Sequence, residues 1–272
     1  MGNCCGSPAA ASDTQDVRRN KKARVANWQR TNVVGLRRAG LTALPSEVAE
    51  VTSARVLDAS DNKLAALPPD LPPSLQRLVL SNNQLSDLAP LRHLTNLRVL
   101  VLDGNRIASL PPWIGELGKL ETLSLSDNTL VQLPAGVGAL TSLRQLLLSQ
   151  NRLRALPPQL GACSALEKID AHHNVLQALP PELGRLQRLK LLQLDSNQLE
   201  GVPPEVLRGC TSLATLSLHD NPIQPDTLHA TDGWAEFEAR RQGKYTKGLA
   251  GGALVNIDEG LDRPLAASPR SA

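Results

Sequence analysis

The sequence predicts an α/β solenoid, a curved horseshoe with a parallel β-sheet on its concave face and a helical cap at each end. Three observations carry that prediction. An Asn recurs as Asn62, Asn83, Asn105, Asn128, Asn151, Asn174, Asn197 and Asn221, at steps of 21, 22, 23, 23, 23, 23 and 24 residues. Self-similarity at a fixed period of this size marks a repeat architecture. Apolar residues two apart, Leu in most repeats, precede each Asn, as in LRQLLLSQNRLRALPPQLG at residues 143–161, and a period of 2 places both on one face of an extended strand. Finally, 41% of the 272 residues are apolar but only 2% are aromatic. The core must therefore be assembled from Leu, with Val, Ala and Ile as minor partners.

Each unit reads LxxLxLxxNxLxxLPxxL. One unit buries roughly seven apolar side chains at about 1.5–3 kcal/mol each, against about 1–2 kcal/mol of backbone entropy for every residue it orders. A single unit cannot fold alone, whereas stacking lets each Leu row bury against the next. The LxL segments then become the sheet and the LPxxL segments the convex wall. An Asn at each turn is short enough to enter the loop, and its amide both donates to and accepts from backbone groups left unpaired there. On these motifs the chain resembles the leucine-rich repeat family, in its intracellular LPxxL form, over residues 31–224.

The ends of such a stack need covers, because a terminal repeat would otherwise expose Leu to water. Residues 13–30 are expected to form a basic cap helix, with Val17, Val25 and Trp28 over a degenerate first repeat in which Ala39 stands where Asn should be. Residues 225–247 are expected to form the second cap, using Trp234, Phe237 and Tyr245. Residues 1–12 read as a disordered leader and 248–272 as a flexible tail.

Net charge is +3, but residues 1–30 carry six basic side chains against Asp13 and Asp16, a local +4 that leaves the rest at −1. That distribution argues against nucleic acid, which calls for a basic folded surface. No apolar run reaches the ~18 residues of a membrane span. The first thirty residues lack the apolar core of a secretory signal, and no Asn-X-Ser/Thr sequon occurs. These features predict a reducing cytosol, where disulfides are not expected. Cys163 and Cys210 take the place held by Leu186 in its own repeat and so read as small buried hydrophobes.

The opening MGNCCG then reads as a lipidation site. Gly2 after Met1 suits N-myristoylation, although Gly6 stands where Ser or Thr is preferred. One myristoyl chain binds a bilayer only marginally and needs a second signal. Cys4 and Cys5 offer palmitoylation, and Arg18, Arg19, Lys21, Lys22 and Arg24 offer attraction to anionic lipid. The leader resembles those of doubly acylated plant calcium-dependent protein kinases. Together with the cap and the first repeat, it is similar to the family of leucine-rich repeat-containing protein 57. That resemblance implies an intracellular, membrane-associated protein and carries over no catalytic residue.

The concave face is the expected recognition surface. The residues between the two Leu positions are Asp58, Val79, Val101, Ser124, Leu147, Asp170, Gln193 and Ser217, with Val99, Lys168 and Leu191 in the preceding column. Apolar side chains exposed there are best explained by a protein partner. His172, Asp195 and His219 share another column, with Asp170, His173 and Asp220 nearby, and two His with a carboxylate suit a transition metal. Without an orienting outer shell, polar decoration of a groove is the stronger reading. The expected function is thus a monomeric, membrane-tethered, non-enzymatic adaptor at the cytoplasmic face of a membrane, with no cofactor. The alternatives are a soluble regulatory subunit in a phosphatase or small-GTPase pathway and a metal-binding hydrolase.

Overall fold

The computed structural model describes residues 21–250, with side chains described for residues 21–242. Nine three-residue strands run through it: β1 (Val33–Gly35), β2 (Val56–Asp58), β3 (Arg77–Val79), β4 (Val99–Val101), β5 (Thr122–Ser124), β6 (Gln145–Leu147), β7 (Lys168–Asp170), β8 (Leu191–Gln193) and β9 (Thr215–Ser217). They form one parallel sheet in sequential order, each strand pairing with the next without a register shift. The middle residues therefore stack into a single buried column from Val34 through Leu57, Leu78, Leu100, Leu123, Leu146, Ile169 and Leu192 to Leu216.

The return path of each repeat forms the convex wall. In the four central repeats it is a one-turn 3₁₀ helix: Pro112–Glu116, Ala135–Ala139, Pro158–Ala162 and Pro181–Arg185. Each follows an extended proline, at Pro111, Pro134, Pro157 and Pro180, whose fixed φ and missing N–H suit a helix start. Each turns one apolar side chain inward: Ile114, Val137, Leu160 and Leu183. Where the period lengthens to 24 residues, the extra residue turns this segment into the α-helix Pro204–Gly209. Residues 65–75, carrying two Pro-Pro pairs, form no helix, since consecutive prolines remove the donors it would need.

These convex turns approach one another through glycine. A Cβ on Gly115, Gly138, Gly161 or Gly184 would lie 2.2–2.5 Å from a backbone oxygen of the next repeat. No other side chain fits that spacing.

The Asn ladder is present in all eight repeats. Asn151 illustrates it: its Oδ1 accepts from Leu130 N–H of the preceding repeat at 3.0 Å, and its Nδ2 donates to the carbonyls of Leu125, Leu148 and Ser149. The six inner members, from Asn83 to Asn197, are buried, while Asn62 and Asn221 at the ends are half-buried. Beside each ladder Asn stands a residue with left-handed backbone: Asp61, Asn82, Gly104, Asp127, Gln150, His173, Ser196 and Asp220, with φ between 52° and 63°. That conformation disfavours a side-chain-bearing residue, and the bonds of the adjacent Asn hold it. Arg38 adopts it in the first repeat even though Ala39 supplies no such bonds.

Both ends are capped by helices. The first, α1 (Lys21–Thr31), buries Trp28 and packs Val25 against the core. At the other end, α2 (Pro225–His229) leads into α3 (Trp234–Ala250), where Trp234 and Phe237 are buried with ring centroids 5.5 Å apart. The second cap helix reaches Ala250, so the expected tail boundary at residue 248 falls inside it. The leader, Val17, residues 251–272 and the side chain of Tyr245 lie outside what is described.

Candidate functional site

The inner face of the sheet is built from the two residues that flank each buried Leu. Val79, Val99, Val101, Leu147, Leu191, Gln193, Lys168 and Asp170 all lie on it and are all half-buried. The sequence leads to the expectation that the apolar members stand exposed; the structure half-covers them. With strands about 4.8 Å apart, each side chain shades its neighbours. The large apolar side chain that does stand out on this face is Val33 of β1, in the column of Val99 and Leu191. The same column alignment would have found it.

Ser124 and Ser217 correct the expectation more sharply, because both are buried. Ser124 Oγ donates to Asp103 Oδ1 at 2.5 Å, and the same oxygen accepts from Ser126 N–H at 2.8 Å. Ser217 Oγ and His219 N–H make the same clasp with Asp195 Oδ1, at 2.6 and 2.7 Å. A small residue at this strand position lets the carboxylate of the previous repeat fold over it.

That clasp also dismantles the metal-site expectation. Asp195 spends an oxygen on Ser217 and His219 backbone, and His172 Nδ1 lies 2.5 Å from Asp170, which also pairs with Lys168 at 3.6 Å. Among the described residues no three His, Cys, Asp or Glu side chains converge as a metal site would require. Sharing a column brought His172, Asp195 and His219 into register, not to a common point.

The two rims of the face differ. Just before the strands, Arg98, Glu121, Arg144, Glu167 and Lys190 alternate in sign, one per repeat. Arg98 pairs with Glu121 at 2.6 Å, and Glu167 pairs with both Arg144 at 2.9 Å and Lys190 at 2.6 Å. The Lys190 bond, then its charge and that of Arg144, hold the Glu167 carboxyl below its ordinary range. Just after the strands, the rim opens into a hollow of about 320 Å³ at the first three repeats, between Arg37, Asp61, Asn82 and Arg77. Asp61 accepts from Asn82, Arg37 and Arg38, and these bonds, with the Asn82 amide foremost, draw its pKa down to about 2.

Two of the residues expected to face a membrane are engaged in the cap. Arg24 pairs with Glu47 at 3.2 Å and sits 5.0 Å over the Trp28 ring, while Lys21 lies 3.7 Å from both Glu47 and Glu50. Lys22 is exposed. Gly2, Cys4, Cys5, Arg18 and Arg19 lie outside the described residues.

Comparison with known proteins bears on this geometry. A leucine-rich repeat region model matches residues 73–174, and a second leucine-rich repeat model matches residues 164–223. Plant intracellular Ras-group-related LRR protein 7 from Oryza sativa subsp. japonica is 53% identical over 266 residues, 95% of this chain and 98% of that protein. This chain belongs to the plant intracellular Ras-group-related LRR family. Protein 8 of the same family and organism is 48% identical over 250 residues, 89% of this chain, which spans 66% of that relative's length. Of the resemblances drawn from sequence, the broad one to intracellular leucine-rich repeats is the one these family members carry.

Among solved structures, the LRR ectodomain of the Arabidopsis thaliana receptor kinase GASSHO1/SCHENGEN3, in complex with CASPARIAN STRIP INTEGRITY FACTOR 2, is 33% identical with a TM-score of 0.59. The match covers 66% of this chain and 23% of that one. An internalin from Listeria monocytogenes shares the fold at 22% identity and a TM-score of 0.67, over 77% of this chain and 61% of its own. Among the described residues no helix is long and apolar enough to cross a membrane.

Proposed function

We propose that this family member is a membrane-tethered adaptor that docks a protein partner on the concave face of β3 to β8. The row of half-buried apolar side chains Val79, Val99, Val101, Leu147 and Leu191 carries the reading. It lies on a sheet held rigid by an unbroken register, and apolar side chains displayed on a rigid face are the usual anchors of a protein interface. The receptor-kinase ectodomain, of the same fold, was solved in complex with a partner. The experiment compares the proteins recovered with the wild-type chain and with a Val101→Asp/Leu147→Asp variant that melts at the same temperature. Partners retained by the variant would overturn the reading.

The tether rests on Gly2 with Cys4 and Cys5, supported by the exposed Lys22 and by the leader's likeness to doubly acylated proteins and to the family of leucine-rich repeat-containing protein 57. Metabolic labelling with a myristate analogue should mark the wild type and not Gly2→Ala, and the variant should leave the membrane fraction. The relatives' name, Ras-group-related, favours a second reading, a soluble regulatory subunit in a small-GTPase pathway. On that reading Gly2→Ala changes neither location nor partners.

A further inference from the structure

From the start of each strand to the residue before its ladder Asn, β4 to β9 carry Asp103, Asp127, Asp170, Asp195 and Asp220 against one cation, Lys168, with Arg106 and Arg152 following beyond the Asn of their repeats. Five carboxylates against one ammonium leave a formal −4 with His neutral. Lys168 already pairs with Asp170. Among the described residues no Lys or Arg forms an ion pair with Asp103, Asp127, Asp195 or Asp220; Asp103, Asp195 and Asp220 accept from hydroxyls or backbone N–H groups. On the opposite rim the Arg98, Glu121, Arg144, Glu167 and Lys190 series pairs its two carboxylates with three cations, a formal +1. At the first repeats Arg37 and Arg38 sit on Asp61. Along these segments the unpaired carboxylates thus follow one rim over six repeats, where they border Val99, Val101, Leu147 and Leu191.

We infer that the occupant of this face is an extended segment of a partner protein that alternates apolar with Lys or Arg side chains, its basic residues along the Asp rim and its apolar ones on Val101 and Leu147. The inference rests on the concave-face reading and adds the chemistry of the partner. Six strands at about 4.8 Å span about 24 Å, the length of seven or eight extended residues at about 3.3 Å each. The unpaired carboxylates repel an acidic segment at this range, and the selectivity is one that salt erodes.

A random twelve-residue phage-displayed peptide library, selected on the immobilised full chain, tests this without presupposing the sequence. Enriched peptides are expected to exceed the input library in Lys and Arg interspersed with apolar residues. A synthetic fluorescein-labelled copy of the leading peptide should bind more weakly at 300 than at 50 mM salt. It should lose about two- to five-fold in affinity for each charge removed by Asp127→Asn and Asp220→Asn. Both positions are exposed, so these variants should fold normally. Val101→Ser/Leu147→Ser, which adds no charge, should abolish binding.

Peptides enriched without basic excess but lost in the Ser variant would overturn the charge assignment and leave concave docking standing. Basic peptides that bind the Ser variant unchanged would overturn the docking face and this inference together. Failure to enrich any peptide, or affinity unmoved by the two Asn substitutions, would also overturn it.

Discussion

At the residue scale, the ladder Asn does the work of a small piece of secondary structure. In Asn151→Ala the N–H of Leu130 and the carbonyls of Leu125 and Leu148 lose their side-chain partner inside a buried loop. Because an unsatisfied buried group costs about 1–3 kcal/mol, urea denaturation should show a loss of about 3 kcal/mol. The same change at half-buried Asn221 should cost distinctly less, since water replaces the lost bonds. Cys163 and Cys210 are fully buried and give their thiols to the carbonyls of Val137 and Leu183. Burial pushes both thiols up to about 11 from an ordinary value near 9. With the folded value above the unfolded one, each thiol's contribution is complete below pH 9 and is lost as pH rises through 11. Thermal midpoints between pH 8 and 11 should therefore fall less steeply for Cys163→Ala/Cys210→Ala than for the wild type.

At the element scale, the sequence announced most strands and little of what joins them. The Asn period and the LxL alternation were legible because a buried column tolerates few residue types. The left-handed residue beside each Asn was not, because Gln150, His173 and Ser196 give no signal of it alone. Their conformation is imposed by the loop that Asn closes. The convex glycines did carry a signal, since Gly115, Gly138, Gly161 and Gly184 recur at steps of 23 residues, but a repeated Gly does not reveal what approaches it. Gly184→Ala would place a Cβ 2.2 Å from Glu205 O, whereas a Cβ on Gly118 meets nothing within 4 Å. Chemical denaturation should show Gly184→Ala destabilised by more than 1 kcal/mol, the range of strain in an overpacked site, and Gly118→Ala within about 0.5 kcal/mol of wild type.

At the scale of the whole molecule, each repeat touches its neighbours alone, so damage at one end should remain there. Trp28 closes the first repeat, stacked under Arg24 and tied through it to Glu47. In Trp28→Ala, amide hydrogen exchange is expected to accelerate in β1 and β2 and to stay at the wild-type rate in β5 to β8. Uniform acceleration would show that the stack unfolds as one unit. The candidate site was only half legible at this scale. Its location follows from the repeat, but how far Val79 or Leu147 projects depends on the side chains one strand away. The Ser–Asp clasps depend on a residue one repeat earlier.

The alternating rim bears on how such a chain can change length. Arg98, Glu121, Arg144, Glu167 and Lys190 place opposite signs on adjacent coils. Excising one coil, such as that of Glu121, would seat Arg98 beside Arg144. Excising or copying two together restores the alternation. Gain and loss of coils in this lineage should therefore be tolerated in pairs more readily than singly, a parity rule written into the surface by charges that individually add little to folding.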